Sequence, residues 1–221
     1  MAKYHKKIAL IGAGKIALEY LKVLQTFSEV SVCGIANRSG KGLVGLAKEF
    51  RIESCYNDWR DMLNRTDPDA VLILVSCDQI ATVAEYCLNR KIPCLIEKPV
   101  GLFYDQAQKI HDIYVRNGCI HQVAMNRRFY STVNRAINEV LMMGPIYGVH
   151  VEDHEPIDRM CEKSKYSDLT LDRWLIANGI HALGCFSMSA AKLRVWLLVQ
   201  NLLNILLVIP LGVWLSLRMV L

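Results

Sequence analysis

The chain has 221 residues, of which 52% are hydrophobic and 21% charged; this balance supports a packed core and excludes a disordered polar tail. That length accommodates one ordinary domain and part of a second. The net charge of +5 arises largely at the end of the chain: positions 184–221 hold Lys192, Arg194 and Arg218 and no acid, so the first 183 positions keep 23 of the 26 basic residues against all 21 acids. No dense basic stripe of the kind that binds nucleic acid is present, and no nucleic-acid partner is expected.

The first apolar run, Lys7–Ile11, is too short for a signal-peptide core and reads instead as a buried strand. It leads into Gly12-Ala13-Gly14-Lys15-Ile16-Ala17, followed by apolar residues at helical spacing over Lys15–Thr26 and a second strand at Ser31–Ala36. Strand, glycine-rich turn, helix and strand within about 30 residues is the setting of a dinucleotide-binding turn. Gly12 permits the tight turn, Gly14 lets the backbone approach a pyrophosphate, and the small Ala17 lets helix and strand pack closely. The helix start at Lys15-Ile16 turns N–H groups toward the anion. Where an acid for the ribose 2′-hydroxyl of NAD is looked for, the sequence has Asn37 followed by Arg38. A neutral amide beside a guanidinium suits a 2′-phosphate, so NADP is expected in preference to NAD.

Further strands are predicted at Ala70–Val75, Pro93–Glu97 and Ile120–Met125, alternating with helices at Leu43–Phe50, Gln79–Asn89 and Asp105–Asn117. Gly118 stands where a helix end favours a positive φ. Strict alternation implies a parallel sheet covered on both faces, a doubly wound α/β domain. Beyond it lie a helix over Ser131–Met142, a Gly144-Pro145 turn and a strand over Ile146–His154. Eight cysteines, none in C-x-x-C spacing, exclude a zinc ribbon or thioredoxin motif, and no metal site is expected. Several sit in apolar runs and are expected as buried free thiols in a reducing cytoplasm.

Glu97-Lys98-Pro99 closes one strand, and Asn126-Arg127-Arg128-Phe129 follows another. Together with Gly12-x-Gly14-x-x-Ala17, in this order, these segments resemble the Gfo/Idh/MocA oxidoreductases. The resemblance runs from about Lys7 to Leu183. It implies a Rossmann-type nucleotide domain over 1–125 and a fragment of an α+β substrate domain over 126–183. The implied activity is hydride transfer between NADP or NAD and a sugar, cyclitol or related polyol or carbonyl compound. By the same resemblance Lys98 lies near nicotinamide and substrate, Ser76 and Cys77 border the cofactor crevice with Glu97 and Asn126, and His181 matches a catalytic histidine. Ala177 stands where the family places an aspartate four residues before that histidine.

After Leu183 the resemblance stops, and 184–221 forms an apolar tail of different character. Positions 195–217 carry no charge, with Lys192 and Arg194 before them and Arg218 after, which meets the length criterion for a membrane span. A change of reading frame or a truncation after about residue 183 is the preferred expectation, and membrane association through 195–217 is the alternative. Reduced activity follows from either, and a family-type homo-oligomer is not expected from an incomplete sheet.

Overall fold

The computed structural model describes residues 5–146, 151, 153–154 and 166–190. The chain divides at Ala124/Met125 into two compact units. In the first, β1 (Lys6–Ile11), β2 (Val30–Ala36), β3 (Cys55–Tyr56), β4 (Ala70–Ile73), β5 (Cys94–Ile96) and β6 (His121–Val123) form one sheet in the order β3-β2-β1-β4-β5-β6. Every adjacent pair is parallel. Helices α1 (Lys15–Leu24), α2 (Leu43–Phe50), α3 (Trp59–Thr66), α4 (Cys77–Asn89) and α5 (Tyr104–Asn117) provide the connections.

Period-two alternation sends neighbouring residues of one strand to opposite faces, and here both faces are buried. Ala9 and Ile11 of β1 and Val71 and Ile73 of β4 pack with Ile80, Ala84 and Leu88 of α4 and Ile110 and Ile113 of α5. Leu10, Ile35, Leu72 and Leu74 point the other way, against Ala17 and Leu21 of α1 and Leu43 and Ala47 of α2. The expected doubly wound α/β architecture is therefore present. Gly118 ends α5 with φ +67° and donates its N–H to the Tyr114 carbonyl, as a helix-terminating glycine does.

Two elements were not legible in the sequence pattern. β3 is only two residues long, too short to show alternation. α3 is strongly polar, but Asp58 caps it by accepting hydrogen bonds from the N–H groups of Arg60 (2.6 Å) and Asp61 (3.4 Å). Met62 and Leu63 are its buried residues. Helix α4 begins two residues earlier than periodicity suggested, which makes Ser76 its N-cap and Cys77 its first residue.

The second unit opens with a 3₁₀ turn (Asn126–Phe129) and α6 (Ser131–Met143). It continues with α7 (Asp168–Asp172), a π-helical turn (Leu175–Gly179) and α8 (Ile180–Ala190). A Cβ on Gly184 would collide with the Met125 methyl, so the glycine lets α8 lie close to the 3₁₀ turn. The strand expected over Ile146–His154 falls largely outside the described residues, as does the apolar segment 195–217. Among the described residues, no helix is long and apolar enough to cross a membrane.

Candidate active site

The sheet reverses its winding between β1 and β4, and a crevice opens there beyond the carboxyl ends of the strands. It measures about 770 Å³ and is lined by Gly12, Gly14, Lys15, Asn37, Arg38 and Ser76, among others. Six of the residues read from the sequence as cofactor ligands thus share one cavity. Gly12 has φ +115°, and a Cβ there would lie 2.6 Å from the carbonyl carbon of Leu74. Its N–H donates to the Ala36 carbonyl (2.8 Å), while the Leu74 N–H donates to the Ile11 carbonyl (2.8 Å). Only a glycine in this conformation brings the chain so close to the end of β4.

Gly14 differs. Its φ of −84° and ψ of −172° are open to any residue, and nothing stands within 4 Å of where its Cβ would be. It is the N-cap of α1, whose first turn carries no acid to compete for an anion at the helix start. Ala17 is fully buried beneath the turn, and Ile16 is 41% exposed outside the cavity lining.

At the far end of the cavity, Asn37 organises its own turn. Its side-chain amide donates to the Lys41 carbonyl (2.8 Å) and the Ser39 hydroxyl (3.3 Å), and its backbone carbonyl accepts from the Gly40 N–H (2.9 Å). The amide therefore shapes the loop that presents Arg38, Ser39 and Lys41 to the cavity, all of them exposed. Arg60 lines the same cavity, its guanidinium carbon 4.0 Å from the centre of the Trp59 ring. Burial acts to raise the Asp78 carboxyl, but hydrogen bonds with Ser76 and Gln79 and the charge of Arg38 outweigh it and hold Asp78 below the usual carboxylate range. Ser39, Lys41, Trp59, Arg60 and Gln79 went unnoticed as lining residues in the sequence. The Asp58 cap was the available signal for the two at 59 and 60.

Glu97 and Lys98 stand at the end of β5, both half-buried, and the Lys98–Pro99 peptide bond is cis. Neither residue lines the cavity around Gly14. Burial pushes the Cys77 thiol, at the start of α4, above its ordinary value, and the charge of Lys98 pulls against that. Asn126 belongs to the second unit, where it opens the 3₁₀ turn and is exposed. His181 is 7% exposed near the start of α8 and follows the buried Ala177 in the π-helical turn. Asp153 brings Oδ2 to 3.8 Å from the position of a Cβ on Gly179, so an acid lies beside the turn that leads to His181. Among the described residues, no cluster of three or more His, Cys, Asp or Glu side chains could hold a metal.

The chain is 29% identical over 126 residues to inositol 2-dehydrogenase of Salmonella typhimurium, covering 56% of this chain and 38% of that protein. It is 26% identical over 144 residues to the rhizopine catabolism protein MocA of Rhizobium meliloti, covering 64% and 44%. Among solved structures, apo scyllo-inositol dehydrogenase from Lactobacillus casei superposes with a TM-score of 0.73 at 20% identity, over 86% of this chain and 56% of that one. A Gfo/Idh/MocA family oxidoreductase from Vibrio cholerae superposes with a TM-score of 0.60 at 28% identity, over 68% and 49%. The chain thus spans less than half the length of the curated relatives it matches. Residues 6–125 match the family described as an oxidoreductase family with an NAD-binding Rossmann fold, and the chain belongs to this Gfo/Idh/MocA family.

Proposed function

We propose that the chain binds a nicotinamide dinucleotide, NADP in preference to NAD, in the crevice between β1 and β4, and serves hydride transfer to or from a sugar, cyclitol or related polyol. The observation that carries this reading is the cavity itself. It is floored by a glycine pressed against Leu74, opened by a second glycine at a helix N-terminus, and ended by a loop bearing Arg38 and Lys41. The backbone of Gly14 and the start of α1 suit a pyrophosphate. Arg38, Ser39 and Lys41 offer two cations and a hydroxyl to a 2′-phosphate, with Asn37 holding their loop in place.

The bound nicotinamide supplies or accepts the hydride. Lys98 then presents a cation to the substrate oxygen, polarising a carbonyl in one direction and stabilising an alkoxide in the other. His181 moves the proton between that oxygen and solvent. Glu97, Ser76, Cys77 and Asn126 border the reacting end in this reading, and Ile16 and Ala17 belong to the dinucleotide turn. Inositol 2-dehydrogenase and scyllo-inositol dehydrogenase among the similar proteins support a polyol as substrate class. The reading places the chain in the cytoplasm.

A second reading is binding without turnover, favoured by Ala177 where the family carries an aspartate. One experiment separates them. NADP and NAD are titrated calorimetrically against the whole chain, then cofactor reduction is followed at 340 nm with a panel of inositols and sugars. Tight NADP binding with polyol-dependent reduction supports the enzyme, binding without reduction supports the second reading, and no binding removes both.

A further inference from the structure

The Tyr20 hydroxyl, on α1, donates a 2.9 Å hydrogen bond to Oε1 of Glu97. The other carboxylate oxygen, Oε2, accepts the backbone N–H of Lys98 at 3.2 Å. The backbone of Glu97 is itself fixed, its N–H donating to the Ile73 carbonyl at the end of β4 (2.9 Å). Glu97 therefore links three elements: its carboxylate joins the helix that starts at the dinucleotide turn to the peptide that carries Lys98, and its backbone N–H joins both to the end of β4.

The linkage has the chemistry of a positioning device. Removing a carboxylate from water is unfavourable unless donors replace the lost solvent, and here a hydroxyl and an amide do so, one at each oxygen. Burial, then the charge of Glu97, then the hydrogen bond itself push the Tyr20 hydroxyl well above its ordinary range, so it stays a donor across working pH. The Tyr20 side chain packs against the buried cluster of α1 and α2, which limits the swing of the hydroxyl. Tyr20 lies six positions beyond Gly14 in the same helix, so a displacement of α1 at its N-terminus reaches Glu97 through a rigid element.

We propose that Tyr20 and Glu97 are positioning residues: the Tyr20–Glu97 contact fixes the Lys98 peptide relative to the dinucleotide turn, so that the lysine and the pyrophosphate site are set by one helix. This deepens the functional reading above, since it matters for hydride transfer only if Lys98 acts there.

The test uses the whole chain and compares wild type, Tyr20→Phe, Glu97→Gln and the double variant. Each is labelled with trace acylating reagent, and mass spectrometry reads the Lys98 rate against Lys22 and Lys109 in the same sample. Tyr20→Phe is expected to change the relative Lys98 rate by about two- to threefold or more and to leave the Lys22-to-Lys109 ratio alone. The double variant should do little more than Glu97→Gln alone, because the Tyr20 hydroxyl acts on Lys98 only through that carboxylate. A purely structural tyrosine would lower the melting temperature without moving the Lys98 rate, and that result overturns the proposal, as does full additivity of the two variants. If Tyr20→Phe does not fold, Glu97→Gln carries the same comparison. Ultraviolet titration adds a spectroscopic signature: the Tyr20 hydroxyl, held above its ordinary range in wild type, shifts down in Glu97→Gln, and an unchanged titration counts against the contact. Protection of wild-type Lys98 by NADP or NAD tests the functional reading separately, since its absence removes that reading while the unliganded labelling still decides the strut.

Discussion

Replacing Gly14 by valine separates binding from folding, because the two glycines of the turn are constrained by different things. The backbone of Gly14 is extended and nothing stands within 4 Å of its Cβ position, so a side chain there starts into open space. Its effect on stability is that of a poorer N-cap, about 0.5–1 kcal/mol. The branched side chain projects instead into the crevice, where a pyrophosphate would approach the start of α1. Losing two charge-assisted hydrogen bonds at about 1.5–3 kcal/mol each weakens binding by about 3–6 kcal/mol. In affinity that is about 10²- to 10⁴-fold. Gly12→Ala is the control of opposite character. Its Cβ would lie 2.6 Å from the Leu74 carbonyl carbon with φ at +115°, so overpacking and backbone strain together destabilise the fold by about 2–6 kcal/mol. Calorimetric titration of NADP and NAD and thermal unfolding of all three proteins make the comparison. A folded Gly14→Val variant binding either nucleotide within about threefold of wild type would refute the assignment of the pyrophosphate to this turn.

Arg38→Ala is expected to erode the preference for NADP by about 1.5–3 kcal/mol, or about tenfold and more, with little change in NAD affinity; equal wild-type affinities for the two nucleotides would reject the 2′-phosphate site. Asp69 accepts the Lys7 backbone N–H (2.8 Å) and the Lys6 amine (3.1 Å), and these hold its carboxyl below the usual range, so the native state favours the ionised form. The stabilisation is present above the unfolded carboxyl value and is lost as pH falls through the lower native one. Denaturant midpoints should therefore place wild type above Asp69→Asn at pH 7, with the gap closing below about pH 4. Asp58→Ala removes the cap of α3 and should lower stability by about 0.5–2 kcal/mol, read in a urea melt. Leu88→Ala, at a fully buried site on α4, should lower it by about 2–5 kcal/mol in the same assay.

The alternation of short apolar strands and amphipathic helices was sufficient to read a doubly wound sheet, because parallel strands buried on both faces leave near-continuous Val, Ile and Leu runs. The same linear signal located Gly12, Gly14, Ala17 and the Glu97-Lys98-Pro99 corner, since each depends on its neighbours in the chain: a turn at a strand end, a glycine opening a helix. What pairs across the chain was not legible. β3 carries two residues and no period, so although Asp58 marks a helix start, the place of Asn57–Arg60 in the cavity wall follows from the pairing of Cys55 and Tyr56 with β2. Asn37 reads in the sequence as a ligand, yet its amide is directed to Ser39 and the Lys41 carbonyl, because the chain folds back there at Gly40. Tyr20 and Glu97 are separated by 77 positions and share no motif, and only the packing of α1 against the sheet brings hydroxyl and carboxylate together. Local hydrogen bonding and hydrophobic period are written in neighbouring residues, whereas the partner of a polar side chain across the sheet is set by strand order, which the tertiary structure alone decides.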